Sequence, residues 1–478
     1  MWRCLALLVI PFLTGAAQPQ AEPQSDPVEV FLDDAMPAAA APGVAWAILD
    51  NGEWRSGGRG ELVMGRGQPV TGDTPFPLGS ISKSFTALAI MQLVEADRLE
   101  LDGAIADYLD VFAGQSGAAI TIRQLLSHTS GYSTLQGNQS HAGLSEDRDD
   151  VSARVRHLAM SGPAGPVGSR WQYSNANYLI LGALIETVSG LEYGAYVETR
   201  ILEPLGMDDS FVGGSDRAAH RVVATGHNPW FGGRRPVAVS DQPSGRAMAP
   251  AGGVVGSAAD VARYLTMMMN GEDDLITAGN KAVMLQPANA VSPHYGLGWF
   301  LDAEADAAFH TGLVPGVETI AVLSRSRQRG GVALVNANGG MGFAVTGEIL
   351  AGMSALALGE APGPAGRHLG PKSLYLMVLV LPVIFLAGII TAWLRRDGLR
   401  AKSGVLGAFS LYFPVLATGA MAFVFLDLLP KLFGATLMGI NPYQPDMVIL
   451  LLASSVTGLG FAVFRLILAH TGPGRSAA

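Results

Sequence analysis

The chain has 478 residues and a formal net charge of −9, and 49% of its residues are hydrophobic against 15% charged. A mean hydropathy of +0.30 excludes a wholly soluble enzyme of ordinary composition and indicates membrane-spanning segments. Basic residues do not cluster with aromatic residues, so we expect no nucleic-acid partner. The single cysteine, Cys4, excludes an internal disulfide and a cysteine metal cluster, and we expect neither a metal nor another cofactor.

Residues 1–17 are typical of a secretory signal peptide. Arg3 supplies the positive start, the stretch from Leu5 to Leu13 is the apolar core, and Gly15-Ala16-Ala17 offers small residues for cleavage. Because the apolar run is too short to span a bilayer, an uncleaved anchor is only the alternative. Residues 18–27 are polar and rich in proline, so we predict a short tether there.

Residues 28–358 have the mixed pattern of a globular α/β domain. Apolar, β-branched runs predict strands at Gly43–Leu49, Thr319–Leu323 and Gly331–Asn336. Helical patterns with start and stop signals occur at Phe85–Leu99, Ser174–Ser189 and Ser257–Gly271. The glycines and prolines of residues 359–371 then predict a linker.

Residues 372–478 are predicted to form a membrane domain. Three apolar runs have the length of a transmembrane helix, at 374–393, 404–426 and 447–469. Four basic residues separate the first two runs: Arg395, Arg396, Arg400 and Lys402. By the positive-inside rule this loop is cytoplasmic, so the globular domain lies on the extracytoplasmic side, as the signal peptide also requires.

Ser80 and Lys83 form a Ser-x-x-Lys motif that none of the other four lysines repeats. A spacing of three places both side chains on one face of a helical turn. A buried lysine can lose its proton near neutral pH and can then take the proton of a serine hydroxyl, which makes the serine a nucleophile. The alternative is a capping serine with a surface lysine.

Two further motifs carry side chains suited to the same chemistry. Tyr173 in Gln-Tyr-Ser-Asn can shuttle a proton beside a lysine, and Asn175 offers an amide to orient the lysine or a substrate. His310, Thr311 and Gly312 form a third motif, in which the missing side chain of the glycine would let a substrate approach a strand edge. Each residue taken singly also has a structural interpretation: Tyr173 could be packed at a helix start, Asn175 could be a local cap, and His310 could be a structural histidine.

These three motifs, in this order, resemble those of the serine β-lactamase and penicillin-binding superfamily, in particular its class C β-lactamase and D-alanyl-D-alanine carboxypeptidase branch. The resemblance covers residues 28–358. Flanking runs are similar too, namely PFPLGSISKSFTALAIMQLVEADRLELD, TIRQLLSHTSGY, AGGVVGSAADVARYL and YGLGWF. It implies an α/β fold in which an antiparallel sheet, built from both ends of the domain, is flanked by helices and accompanied by a helical lobe.

The resemblance also implies roles for single residues. Ser80 would be the acylated nucleophile, Lys83 its activating partner and Tyr173 the general base and acid. Substrate would contact Asn175, His310, Thr311 and Gly312, and the backbone N–H groups of Ser80 and Leu313 would form the oxyanion hole. Class C β-lactamases have lysine at the position of His310, whereas histidine is similar to the peptidase and esterase relatives.

We therefore expect a membrane-anchored extracytoplasmic serine hydrolase of peptides, amides or esters. The alternatives are a β-lactamase, a non-hydrolysing penicillin-binding sensor, and a transporter with an accessory domain. Since imidazole is mostly neutral at pH 7, we expect His310 to be an uncharged hydrogen-bond partner of Tyr173. Activity would then rise with pH as His310 loses its proton near the usual imidazole pKa of about 6.5.

The topology can be tested in a bacterial host. Protease added outside intact spheroplasts should digest residues 28–358. A reporter enzyme that works only in the cytoplasm should be active when fused after Ala478, whereas one that works only after export should be inactive. Lysed spheroplasts serve as the control for protease access. An exported C-terminus would contradict either the number of spans or their orientation.

Overall fold

The computed structural model of the chain describes residues 26–50, 52–142, 151–219, 221–237, 246–340, 345–363 and 369–471. The predicted signal peptide and residues 18–25 of the predicted tether lie outside these residues. Pro27, which the sequence placed in the tether, begins the first helix, because Asp26 accepts a hydrogen bond from the N–H of Val28 and caps that helix.

A six-stranded antiparallel sheet joins the two ends of the globular region, as the resemblance implied, in the strand order β2-β1-β11-β10-β9-β8. A small sheet has the order β3-β7-β4, and β5 pairs with β6. The strands are β1 Gly43–Asp50, β2 Glu53–Gly60, β3 Phe76–Pro77, β4 Phe211–Val212, β5 His227–Trp230, β6 Gly233–Pro236, β7 Val254–Gly256, β8 Phe300–Asp302, β9 Ala307–Val314, β10 Val317–Ser324 and β11 Arg329–Val335.

Helices cover both faces of the sheet and form a lobe beside it. In the globular region they are α1 Pro27–Ala39, α2 Ser82–Glu95, α3 Ile122–Leu126, α4 Thr134–Ala142, α5 Val151–Ser161, α6 Asn175–Ser189, α7 Tyr193–Val197, α8 Ala249–Gly252, α9 Ala258–Met269, α10 Ala278–Met284 and α11 Gly347–Ala357. Further along are α12 Leu369–Leu394, α13 Arg396–Arg400, α14 Gly404–Phe423, α15 Leu429–Leu432, α16 Leu437–Ile440 and α17 Pro445–His470.

Strand β1 shows why this part of the sequence is a continuous apolar run. Successive side chains of a strand point to opposite faces of the sheet. Val44, Trp46 and Ile48 pack in the core under α1 and α11, whereas Ala45 and Ala47 pack in the larger core that contains α2, α6 and α9. Because both faces are covered by helices, neither needs polar residues.

The predicted elements are confirmed with small shifts at their ends. The three predicted strands are β1, β10 and β11. The first predicted helix begins three residues earlier and ends four residues earlier than Phe85–Leu99. The polar strand β2 escaped prediction, because its sequence EWRSGGRG lacks the apolar alternation of a half-buried strand.

Three helical stretches near the C-terminus are long and apolar enough to cross a membrane, at Gly370–Leu394, Gly404–Leu432 and Pro445–His470. The second continues past its predicted end through a π-turn at Val424–Leu428. The third packs against both of the others, and Gly458 lies close to Met421 and Phe385 where the helices meet. Tight glycine contacts of this kind let helix backbones approach each other.

Residues 433–444, which we call the connector, join the second long helix to the third and contact the globular region. Asn228 Nδ2 donates to the carbonyl of Pro442 at 2.7 Å, and Asn338 Nδ2 donates to that of Tyr443 at 3.0 Å. Directly after the connector, the buried Asp446 carboxylate accepts from the N–H of Phe231 at 3.0 Å. Hydrogen bonds therefore join the connector and the start of the third long helix to the globular region.

Candidate active site

Ser80 lies in a 3₁₀ turn, Gly79–Ile81, that leads directly into α2. The apolar pattern of α2 is explained by burial of almost its whole length. Lys83 lies one turn after Ser80, its side chain is fully buried, and its Nζ is 3.0 Å from Ser80 Oγ. The structure thus brings the two members of the Ser-x-x-Lys motif into direct contact.

The environment of Lys83 disfavours its charged form. Its Nζ donates to the carbonyl of Ala251 at 2.6 Å, and none of the ion pairs among the described residues involves it. Burial holds the pKa of Lys83 well below the usual value for lysine. A neutral amine that donates to Ala251 keeps a lone pair with which to accept the hydroxyl proton of Ser80.

Tyr173 also lies beside Ser80, close enough for the serine hydroxyl to influence the pKa of the tyrosine. Lys83 Nζ is 5.0 Å from the centre of the Tyr173 ring, and the ring of Phe300 stacks on Tyr173 at 6.1 Å. Burial raises the pKa of Tyr173, and the nearby hydroxyl of Ser80 only partly opposes this. The tyrosine is therefore a neutral phenol at neutral pH, which can relay a proton but is not a phenolate base.

His310 has a different partner from the one that the sequence suggested. Its Nδ1 lies 2.7 Å from the carbonyl of Thr311, which can only accept, so Nδ1 carries the proton. Nε2 then accepts from the hydroxyl of Tyr295 at 3.1 Å. The predicted hydrogen bond to Tyr173 is wrong, since both ring nitrogens of His310 are engaged by Tyr295 and Thr311.

The predicted neutral state of His310 is consistent with its surroundings. Burial lowers the pKa of His310 to about 3, and Lys83 adds to this effect when it is protonated. A titration of His310 near pH 6.5 is therefore not expected, which corrects the pH dependence drawn from the sequence. The reason is burial behind Tyr295 and Phe300, which no local pattern reveals.

The motif of His310, Thr311 and Gly312 lies within β9. A side chain at Gly312 would collide with the carbonyl of Leu78 and with Thr319 Oγ1, which lie 2.0 and 2.2 Å from the position of a Cβ. The glycine thus allows β9 to pack against the turn of Ser80. Contact of its backbone with substrate stays a prediction, as it does for the exposed Thr311.

Leu313 is placed where the predicted oxyanion hole requires it. Val314 and Val317 close a two-residue hairpin loop and form its hydrogen-bonded pair, so the next pair, Leu313 and Glu318, is not hydrogen-bonded. The N–H of Leu313 consequently points away from β10. It faces Gly79, where a Cβ would lie only 2.8 Å from this nitrogen.

Asn175 begins α6 at the edge of the site, and α4 packs beside it. Its Nδ2 donates to Asn138 Oδ1 at 3.1 Å. Thr134 Oγ1 donates to the carbonyl of Tyr173 at 2.6 Å. A role for Asn175 in substrate binding stays a prediction.

His128 lies in the run TIRQLLSHTSGY, which is similar to the family, but its place in the site could not be inferred from the sequence. Its backbone has a φ of 59°, unusual for a residue other than glycine, and its ring centre lies 4.4 Å from that of Tyr173. Nδ1 accepts from the N–H of Ser174 and from Asn177 Nδ2, at 3.2 and 3.0 Å. Burial, with a smaller effect of the Lys83 charge, keeps the pKa of His128 well below its usual range.

A comparison with protein families identifies the chain. The model of the Beta-lactamase family matches residues 29–352. The chain belongs to the β-lactamase family. The resemblance stated from the three motifs is thus confirmed for the family and for the fold, whereas the roles of the individual site residues are not tested by it.

Several relatives within this family carry different names. Penicillin-binding protein 4 of Amycolatopsis lactamdurans is 33% identical over 48% of this chain and 60% of its own length. Esterase EstB of Burkholderia gladioli is 37% identical over 30% of this chain and 40% of its own length. The octameric penicillin-binding protein homologue from Pyrococcus abyssi superposes with a TM-score of 0.61 and 26% identity, over 70% of this chain and 77% of that one. The matches to the first two thus span less than two thirds of those relatives.

The close approach of β9 to the turn of Ser80 leads to a prediction. Gly312→Ala should push β9 away from Leu78 and widen the gap between the two predicted oxyanion donors. We expect reaction of Ser80 with an acylating probe to slow by about 100-fold, the size of effect that a misplacement of about 1 Å can produce. Gly347→Ala, at an open position in α11, is the matched control. An unchanged rate in Gly312→Ala would contradict this packing role.

Proposed function

We propose that this member of the β-lactamase family is a membrane-anchored serine hydrolase that works through an acyl-enzyme on Ser80. Its substrates would be peptides, amides or esters, as for a D-amino peptidase, a carboxypeptidase or an esterase. The observation that carries the proposal is the buried Lys83 amine, 3.0 Å from Ser80 Oγ and without an acidic partner among the described residues. A buried lysine that served only the fold would usually have a carboxylate partner.

In the first step neutral Lys83 accepts the hydroxyl proton of Ser80 while Ser80 Oγ bonds to the carbonyl carbon of the substrate. The carbonyl oxygen becomes an oxyanion between the N–H groups of Ser80 and Leu313. Donors that are already oriented towards developing charge are usually the largest contribution to such catalysis. The glycines at 79 and 312 keep these donors close together.

In the second step the tetrahedral intermediate collapses and the C–N or C–O bond of the substrate breaks. The phenol of Tyr173 gives its proton to the leaving nitrogen or oxygen and regains one from the Lys83 ammonium, so both groups end neutral. This order makes Lys83 the base, because burial lowers its pKa and favours the neutral amine. Tyr173 relays the proton, because its raised pKa keeps it protonated until the leaving group takes the proton and Lys83 replaces it. Water then attacks the acyl-enzyme, loses a proton to the same pair and restores the Ser80 hydroxyl.

The neutral histidines bear on the choice of substrate. A substrate carboxylate next to β9 would find the uncharged ring of His310 where class C β-lactamases are expected to have a lysine. His310 is also held by Tyr295 and Thr311, so its two nitrogens are already engaged. This favours substrates that are uncharged at that end, and it favours an esterase or peptidase over an efficient β-lactamase.

The membrane part of the proposal depends on the three long apolar helices and on the basic loop between the first and the second. With that loop in the cytoplasm, both the start of the first span and the connector lie outside. The contacts of the connector with the globular region agree with this arrangement, because they require the two to be on the same side.

The nucleophile can be identified with the full-length protein in detergent. A fluorophosphonate and an activated ester should each leave an adduct on Ser80 that mass spectrometry locates, and Ser80→Ala should lose both adducts. We expect Ser80→Ala to reduce ester hydrolysis by roughly 10³-fold or more, since members of a catalytic unit fail together. Ser84→Ala, one turn further along α2, is the control. Near-normal hydrolysis by Ser80→Ala would refute the proposal.

The pH dependence of kcat/KM distinguishes titration of Lys83 from titration of His310. Because deprotonated Lys83 is the base, kcat/KM for an uncharged ester should rise with pH through the lowered pKa of Lys83 and then level off. His310, with a pKa of about 3, is neutral throughout the range from about pH 5 to 9, so His310→Gln should leave the position of this limb unchanged. Lys83→Arg should lose the limb together with activity, because arginine stays protonated. A limb that moves in His310→Gln would show that the histidine titrates in catalysis.

A further inference from the structure

Helix α4 lies directly against the Tyr-x-Asn motif. Ser174 Oγ donates to the carbonyl of Ser133 at 2.8 Å, and Thr134 Oγ1 donates to that of Tyr173 at 2.6 Å. Gly137 fits so closely that a Cβ would lie 2.6 Å from the backbone nitrogen of Asn175. The start of α4 therefore determines where this motif lies relative to Ser80.

The connector contacts two residues at the start of α4. Asn138 Nδ2 donates to the carbonyl of Gly434 at 2.8 Å, while Asn138 Oδ1 accepts from Asn175 Nδ2. One turn earlier, a Cβ on Gly434 would lie 2.7 Å from Thr134 Cγ2, so the glycine backbone packs directly on that side chain. Gly434 also has a φ of 65°, which only glycine adopts readily. Two of the α4 residues that hold the motif are thus held by the connector.

We propose that the connector is a positioning element of the active site, and that it acts through Asn138 and Thr134 on the Tyr-x-Asn motif. The membrane domain then does more than anchor the enzyme, because the amide of Asn175 and the backbone of Tyr173 are oriented by contacts that end in the connector. This inference rests on the proposed function, since it concerns the same site. It assigns Asn138 as a positioning residue that touches neither Ser80 nor Lys83.

The side-chain amide of Asn138 links the two contacts, because it bonds Gly434 and Asn175 at the same time. Its carbonyl oxygen is oriented towards Asn175 only while its amino group is oriented towards Gly434, because the two groups belong to one planar side chain. Loss of the connector contact leaves this side chain free to rotate, so that the acceptor for Asn175 is no longer held in one orientation. Substrate whose own amide pairs with Asn175 would then lose an oriented partner, whereas attack by Ser80 on a small ester would be affected less.

The test uses the full-length protein in detergent and two substrates, a small uncharged ester and a peptide amide. Gly434→Ala forces a methyl group against Thr134, and Asn138→Asp keeps an acceptor for Asn175 but loses the donor to Gly434. We expect each variant to lower kcat/KM for the amide by about 10- to 100-fold. The decrease in kcat/KM for the ester should be smaller, less than about 3- to 10-fold. The effects of the two single variants should not add fully in the double variant, since both disturb the same contact region between the connector and α4.

The matched control is Gly404→Ala, where φ is 69° and no other atom would lie within 4 Å of the new Cβ. It should behave as wild type in both reactions, and melting temperatures show which variants remain folded. Should Gly434→Ala fail to fold, Asn138→Asp alone decides. Folded variants with wild-type amide kinetics would overturn the inference while leaving the proposed function intact. A wild-type protein without a Ser80 adduct would overturn both.

Discussion

The burial of one amine beside one hydroxyl is the constraint on which the rest of the site depends. Lys83 lies on a helix that is buried along most of its length, and its Nζ meets Ser80 Oγ and the carbonyl of Ala251. In a low-dielectric interior without an acidic partner, a charged ammonium is costly, so the environment favours the neutral base. The same packing that stabilises α2 therefore sets the chemistry of the serine in front of it.

A second constraint is the close approach of β9 to the turn that carries Ser80. Glycines at 79 and 312 have no room for a Cβ, and Thr319 Oγ1 donates to the carbonyl of Leu78 across the same gap. This contact turns an edge of the main sheet into one wall of the site. Neutral, buried His310 belongs to that wall, so the strand brings an uncharged ring to the site.

The connector shows how the membrane helices bear on this arrangement. It contacts the globular region near α4, β5 and the end of β11, and at α4 its contacts lie next to residues that hold the Tyr-x-Asn motif. Interfaces between domains of one chain are usually more polar than a core, and these contacts are mainly hydrogen bonds to backbone carbonyls.

The sequence by itself determined the family, the order of the three motifs, the main strands and the three apolar helices, because each depends on a local pattern or on a short spacing. Ser80 and Lys83 could be paired from their separation of three residues alone. Only the tertiary structure decided the partner of His310, the burial of Lys83 and the packing role of Gly312. It also revealed His128 and Asn138. Asn138 and Gly434 are 296 positions apart, and Lys83 and Ala251 are 168 apart, so no local periodicity connects them. Desolvation and hydrogen-bond partners are properties of the folded interior, and they exist only once distant segments have packed together.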